Sequence, residues 1–206
     1  AANPDEGTIS RGVGRSPWTG ETISGDTIKA EAQAGRMGQM LYAVAVKRPG
    51  GFDFRAPTEE DLAAVAAAEA ELARKRPEWV ARDLIPTEPR QEGRADWAAE
   101  IYGFHTWADT FSLRQLYSMA TFIDELKSLK RDMSSEMEKE RANALLMYMG
   151  IILDKALNYN SMQVTWHPTR TVIAPTFQRH DFSMKWTFAE FDAAGNLLPW
   201  AVDQVQ

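Results

Sequence analysis

The chain has 206 residues, a net charge of −6 and 44% hydrophobic side chains. Its length allows one large domain or two small ones, and its composition excludes wholesale disorder. It contains no cysteine, which excludes disulfides, cysteine–zinc sites and thiol catalysis within it.

Net acidity argues against a uniformly basic surface, so any nucleic-acid contact must be a local patch. The three histidines, His105, His167 and His180, lack H-x-x-x-H or H-E-x-x-H spacing, and no metal site is expected. No apolar run reaches the roughly 20 residues that span a bilayer. The longest, 144–157, is interrupted by Asp154 and Lys155. The opening A-A-N-P-D-E-G lacks the basic region and apolar core of a signal peptide. A cytoplasmic location with no membrane contact is therefore expected. The start, without methionine and in polar sequence, points to a piece of a larger protein.

In chain order, residues 1–35 are rich in Gly, Ser, Thr and Arg, and the run 7–20 reads as loop with short β pieces, because Gly12, Gly14 and Gly20 rule out a stable helix there. Arg11 and Arg15 flank Gly12 and Gly14, so exposed amides lie near two guanidiniums. That arrangement suits a phosphate or plain turn chemistry; it is not a P-loop, since no G-K-[ST] follows. Residues 40–46 (M-L-Y-A-V-A-V) read as a strand, bounded by Pro49-Gly50-Gly51 and paired with 52–55 as a hairpin with Gly50-Gly51 as its turn. Thr58 then caps a helix whose first turn carries Glu59, Glu60 and Asp61. That helix is expected to end at Arg74-Lys75-Arg76, a basic tail matched to its dipole, with Pro77 as the stop. Residues 77–95, with Pro77, Pro86 and Pro89, read as a linker and internal boundary.

Ser112-Leu113-Arg114-Gln115 is a capping box opening a helix to about 131. A second helix is expected over about 135–158. Both carry apolar positions near i, i+3, i+4 spacing. They are expected to form an antiparallel hairpin supplying most of the core, with Met119, Met137, Met147 and Met149 as filler. Residues 182–188 alternate like a strand and 192–196 (D-A-A-G-N) read as a turn. The chain reads as α-rich α+β, organised as 1–56 (Gly/Arg-rich loop and small hairpin), 57–95 (helix and linker) and 96–206 (helical hairpin and an irregular aromatic and basic C-terminal part).

The stretch 158–186 is the most informative. It packs Trp166, His167, Arg170, Phe177, Arg179, His180, Phe182, Lys185 and Trp186 onto non-helical backbone. Interleaved rings and cations suit nucleic-acid bases and phosphates; by composition alone a buried irregular core is the more frequent reading. No catalytic constellation stands out. His105 and Asp109 are spaced to pair, and His167 and His180–Asp181 flank the stretch, but no nucleophile motif accompanies them. The Gly-rich cofactor loop and the N/D-P-P-Y/F turn of an amino-methyltransferase are absent.

Several segments together resemble one family: G-R-M-G-Q-M-L-Y-A-V-A (35–45), F-R-A-P-T-E-E-D-L (54–62), Y-G-F-H-T-W-A-D-T-F-S-L-R-Q-L (102–116), L-D-K-A-L-N-Y-N-S (153–161), and W-H-P-T-R through F-Q-R-H-D-F-S-M-K-W-T-F-A-E-F (166–191). In this order they are similar to the central part of the large bacterial adenine-specific DNA methyltransferases with a zinc ribbon, found near phage-defence genes. In that family the cofactor loop lies upstream and the D-P-P-Y motif downstream. The resemblance implies a target-recognition or scaffold segment of an S-adenosylmethionine-dependent N6-adenine DNA methyltransferase, one that neither binds the cofactor well nor transfers methyl groups alone. The zinc-ribbon cysteines are missing, so no metal carries over.

On this reading, double-stranded DNA and the remaining catalytic parts of the parent enzyme are the partners. Arg114, Arg170, Arg179 and Lys185 are expected at phosphates or base edges, Trp166, His167 and Trp186 at stacked bases, and Arg11 and Arg15 at a further phosphate; for each arginine an ion pair is the alternative. The contrasting class is a structural module forming an interdomain or subunit interface, including a homo-oligomer. Arg179→Ala is expected to weaken binding to a labelled duplex while leaving the melting temperature nearly unchanged; a large stability loss with unchanged binding would count against the DNA role.

Overall fold

Two long capped helices, packed against each other, organise the chain. The computed structural model describes residues 8–90, 97–178 and 182–205. Among these residues, three small antiparallel sheets and six α-helices give the α-rich α+β class expected from the sequence.

The N-terminal sheet comprises β1 (Ile9–Ser10), β2 (Val13–Arg15) and β3 (Thr22–Ile23), in that spatial order. Helix α1 (Gly25–Gln33) follows, within the 1–56 part read as a Gly/Arg-rich loop and small hairpin without a helix. Its N-cap explains it: the Ser24 side chain accepts from the Thr27 amide at 3.1 Å. Helix α1 seats on α3 (Trp97–Ile101) through a tight approach at Gly103. That glycine has φ +77°, and a Cβ there would sit 2.5 Å from the Ala32 carbonyl oxygen. Only glycine meets both conditions.

Strands β4 (Val44–Arg48) and β5 (Gly51–Arg55) form the expected hairpin, displaced toward its turn. Arg48 pairs with Gly51, so Pro49 and Gly50 make the connection. Proline at the first central position and glycine at φ +92° at the second suit a type II turn. Residues 40–43 lie outside the strand, with Met40 and Tyr42 exposed.

Helix α2 (Glu59–Ala81) begins at the Thr58 capping box, closed by Asp61, as the sequence indicates. It does not stop at Pro77, which lies inside it. A proline within a helix costs about 3 kcal/mol. The turn beyond it carries Trp79, which is 1% exposed and stacks on Tyr117 with ring centroids 5.8 Å apart. Burying that indole offsets the missing amide. The Arg74–Arg76 run is thus interior to the helix, not a C-terminal tail. Arg74 bonds Glu71 and the Lys75 ammonium lies 4.9 Å over the Trp79 ring.

Helix α4 (Leu113–Glu136) starts at the Ser112–Gln115 capping box, and α5 (Lys139–Leu157) follows after a short link. Leu116 and Ala120 of α4 meet Leu72 and Trp79 of α2, together with Leu84 and Ile85. The segment after Pro77 therefore enters the main core at residues 84–85. The α4–α5 hairpin does not supply most of the core, because only Ala142 and Ala156 of α5 are buried. Met119 is buried core, but Met147 is 69% exposed and fills nothing.

Beyond α5, strands β6 (Thr165–His167) and β7 (Val172–Ala174) make a hairpin. Residues 182–188 form no strand. The alternation turns Phe182 and Met184 into a cluster with Ala99, Phe104 and Met162, but no strand edge pairs with their backbone. The 192–196 stretch winds into a π-helical turn (Ala193–Leu197) capped by Asp192, leading to α6 (Leu198–Asp203). Leu197 and Ala201 pack on Met119 and Ala156. Among the described residues, no helix is long and apolar enough to cross a membrane.

Trp79→Ala is expected to cost about 3–5 kcal/mol, read as a lowered urea midpoint. A loss below about 1 kcal/mol would show that the α2–α4 core does not depend on this ring.

Candidate nucleic-acid interface

The β6–β7 hairpin sets the geometry of the aromatic and basic stretch. Trp166 lies across from Ile173 and His167 across from Val172. The loop between the strands carries Arg170 and closes with Thr171 at φ 50°. The His167 Nδ1 accepts from the Arg170 amide at 3.4 Å, a long bond that orients the ring over the loop. Arg170 is exposed and makes no ion pair among the described residues.

Trp166 does not stand alone. Its ring meets Phe52 and Phe54 edge-on, each with centroids 5.4 Å away. These phenylalanines share one face of β5 because side chains alternate along a strand. They remain 37% and 56% exposed. Lys47 lies directly across from Phe52, so its exposed ammonium shares that face. Two hairpins more than a hundred residues apart in sequence thus meet through three rings, each hairpin carrying near its turn a cation with no ion pair among the described residues. The sequence reading missed Lys47, Phe52 and Phe54, although the alternation of F-D-F-R marks the shared face.

The remaining candidates are spread over other surfaces. Lys185 is half-buried. Trp186 is 40% exposed and packs edge-on against Tyr102 with centroids 5.5 Å apart. Arg11 is exposed on the turn before β2 and Arg15 is exposed as the last residue of β2; Arg15 Nε donates to the Gly20 carbonyl at 3.3 Å. Arg179, with His180 and Asp181, lies outside the described residues.

Arg114 is matched internally. Its Nε and Nη2 donate to the two Glu190 carboxylate oxygens at 2.8 and 2.9 Å, and Glu69 lies 4.0 Å from Nη1. The Ser112 hydroxyl donates to Glu190 Oε1 at 2.6 Å. The ion-pair alternative describes this arginine. Asp109 likewise does not meet the His105 ring. Its Oδ2 accepts from the His105 amide at 3.0 Å and from the Thr106 amide at 2.7 Å, capping the short 3-10 turn Trp107–Thr110.

Carboxylates elsewhere are held by arginines. The Arg55 guanidinium, with Thr58, keeps Asp61 well below the usual carboxylate range. Arg82 likewise lowers Asp124. A cleft of about 190 Å³ opens between the end of α1 and the 102–116 segment, lined by Met37, Gln39, Arg76, Tyr102, Phe104 and Phe111. Among the described residues, no group of three or more histidines and carboxylates is placed to hold a metal.

Comparison with family models, with curated proteins and with solved structures finds no match in any of the three.

Because Arg114 forks onto both oxygens of the half-buried Glu190, Arg114→Ala is expected to lower stability by about 1–3 kcal/mol. Its affinity for duplex DNA, measured on the folded variant, should be nearly unchanged. A selective loss of binding at full stability would return Arg114 to the interface.

Proposed function

We propose that this chain is a non-catalytic, DNA-contacting segment of an N6-adenine DNA methyltransferase, serving target recognition or scaffolding. The observation that carries the DNA contact is the joint between the β4–β5 and β6–β7 hairpins. Phe52, Phe54 and Trp166 bind the hairpins together, while Lys47 and Arg170 stay exposed without an ion pair among the described residues. Unmatched cations beside partly exposed rings suit phosphates and bases. The methyltransferase context rests on the ordered resemblance of segments between 35 and 191, and S-adenosylmethionine belongs to the parent enzyme on that reading.

Lys47 and Arg170 lead the phosphate contacts, with Arg179, Lys185, Arg11 and Arg15 as further cations. His167 and the exposed edges of Trp166 and Trp186 serve the bases. Arg114 acts from behind, fixing the start of α4 against Glu190.

A second reading, a structural module with a protein partner or a second copy of itself, is favoured by α5. Leu145, Met147, Tyr148 and Ile151 leave 41%, 69%, 58% and 46% of their surfaces exposed on that helix. Such residues concentrated on one helix suit an interface.

A labelled duplex titrated at several salt concentrations separates the two. Binding should weaken steeply with salt, and Lys47→Ala and Arg170→Ala should each reduce the slope of log affinity against log salt by about 0.9. Slopes unchanged in both variants would remove these residues from the interface. No binding at low salt, with concentration-dependent self-association by sedimentation, would support the second reading.

A further inference from the structure

Trp18 is 85% exposed, the most exposed of the large apolar side chains described. It rides on the turn joining β2 to β3, and that turn is firmly built. The Ser16 hydroxyl oxygen accepts from the Trp18 amide at 3.3 Å and from the Thr19 amide at 3.1 Å. The Gly20 amide donates to the Ser16 carbonyl, and the Ser16 amide to the Glu21 carbonyl, each at 2.9 Å. Arg15 Nε crosses the turn to the Gly20 carbonyl, and the Thr19 hydroxyl donates to Glu21 at 3.0 Å. The backbone is therefore ordered before any partner arrives, while the indole itself touches little. A rigid aromatic presented in this way loses little conformational freedom on binding.

The surroundings say what the ring fits. Within the turn Pro17 is the one other apolar residue; Ser16, Thr19 and Glu21 are polar, Gly20 lacks a side chain, and Arg15 stands at the base, so the ring's setting is mainly polar. Arg15 makes no ion pair among the described residues, and its guanidinium lies along the turn, with Nη2 3.8 Å from where a Gly20 Cβ would stand. Glu21, the one acid on the turn, already accepts the Thr19 hydroxyl. An open ring face next to an unmatched guanidinium has the chemistry of a base and its neighbouring phosphate. A turn tip offers that face only to a base whose own face is free, since inside a duplex both faces are covered by stacked neighbours.

We propose that the 16–21 turn is a second nucleic-acid contact, in which Trp18 stacks on an unpaired base and Arg15 takes the adjacent phosphate. This rests on the DNA-contacting reading above and adds to it a preference for bulged, single-stranded or strand-end DNA.

The test uses the whole chain and three fluorescent probes: a perfect duplex, the same duplex with a one-base bulge, and the single strand. Trp18→Ala should bind the bulged duplex and the single strand about tenfold more weakly. The perfect duplex should be affected much less, Trp18→Phe should recover most of the loss, and the thermal melt should coincide with that of the parent. Arg170→Ala, on the other surface, should weaken all three probes alike. If the parent binds and Trp18→Ala matches it on every probe, the second contact is overturned while the DNA-contacting reading stands. An equal loss on all probes overturns the preference for a free base. If the parent binds none of them at low salt, both readings fall; a lowered sedimentation coefficient for Trp18→Ala would then assign the ring to a protein contact.

Discussion

The Glu190 carboxylate closes the fold. It sits at the first turn of α4, where it accepts the Ser112 hydroxyl and the forked guanidinium of Arg114. Ser112 is itself fully buried and capped by Gln115, so the carboxylate meets a helix N-terminus already set in place, where negative charge is favoured. The preceding residue, Ala189, bonds the Val164 carbonyl at 3.3 Å. One acid thus ties the C-terminal stretch to the helix that contacts both α2 and α5. Phe188 beside the second core cluster and the π-turn that leads to α6 are positioned from the same anchor.

Helix starts were the most legible features. Thr58 and Ser112 announce themselves because a cap needs only a side chain and an amide three residues on, and both lie in the local sequence. Ser24 carries the same signal but was masked by the glycines around it. Pro77 misled because its cost is local while its compensation is not: Trp79 finds Tyr117 only after α2 and α4 come together. The apolar spacing of α5 was real, yet periodicity reports a face without saying what covers it. The alternation at 182–188 failed for a related reason, since a strand needs a neighbouring edge that no pattern supplies.

At the candidate interface, the stretch around Trp166 was visible, whereas its partner rings were not, because Phe52 and Phe54 lie far away in sequence. Charge separates the cations further. Arg55, Arg74, Arg82 and Arg114 are each matched by a carboxylate. Arg11 and Arg170 sit at turns, Arg15 ends β2 beside one, and none has such a match among the described residues. An acidic chain can still present local positive charge, because net charge does not fix where its unpaired cations sit.

Were both proposed contacts to form, the tight seat at Gly103 would bear on binding strength. Helix α1 packs on both β2 and α3, so the sheet that carries Trp18 is linked to the body by a contact that tolerates no side chain. A stiff link lets one docked site hold the other close to its own target, at a raised effective concentration. A side chain at position 103 would push α1 away and loosen that link. Each contact would keep its own chemistry, but the gain from engaging both at once would fall.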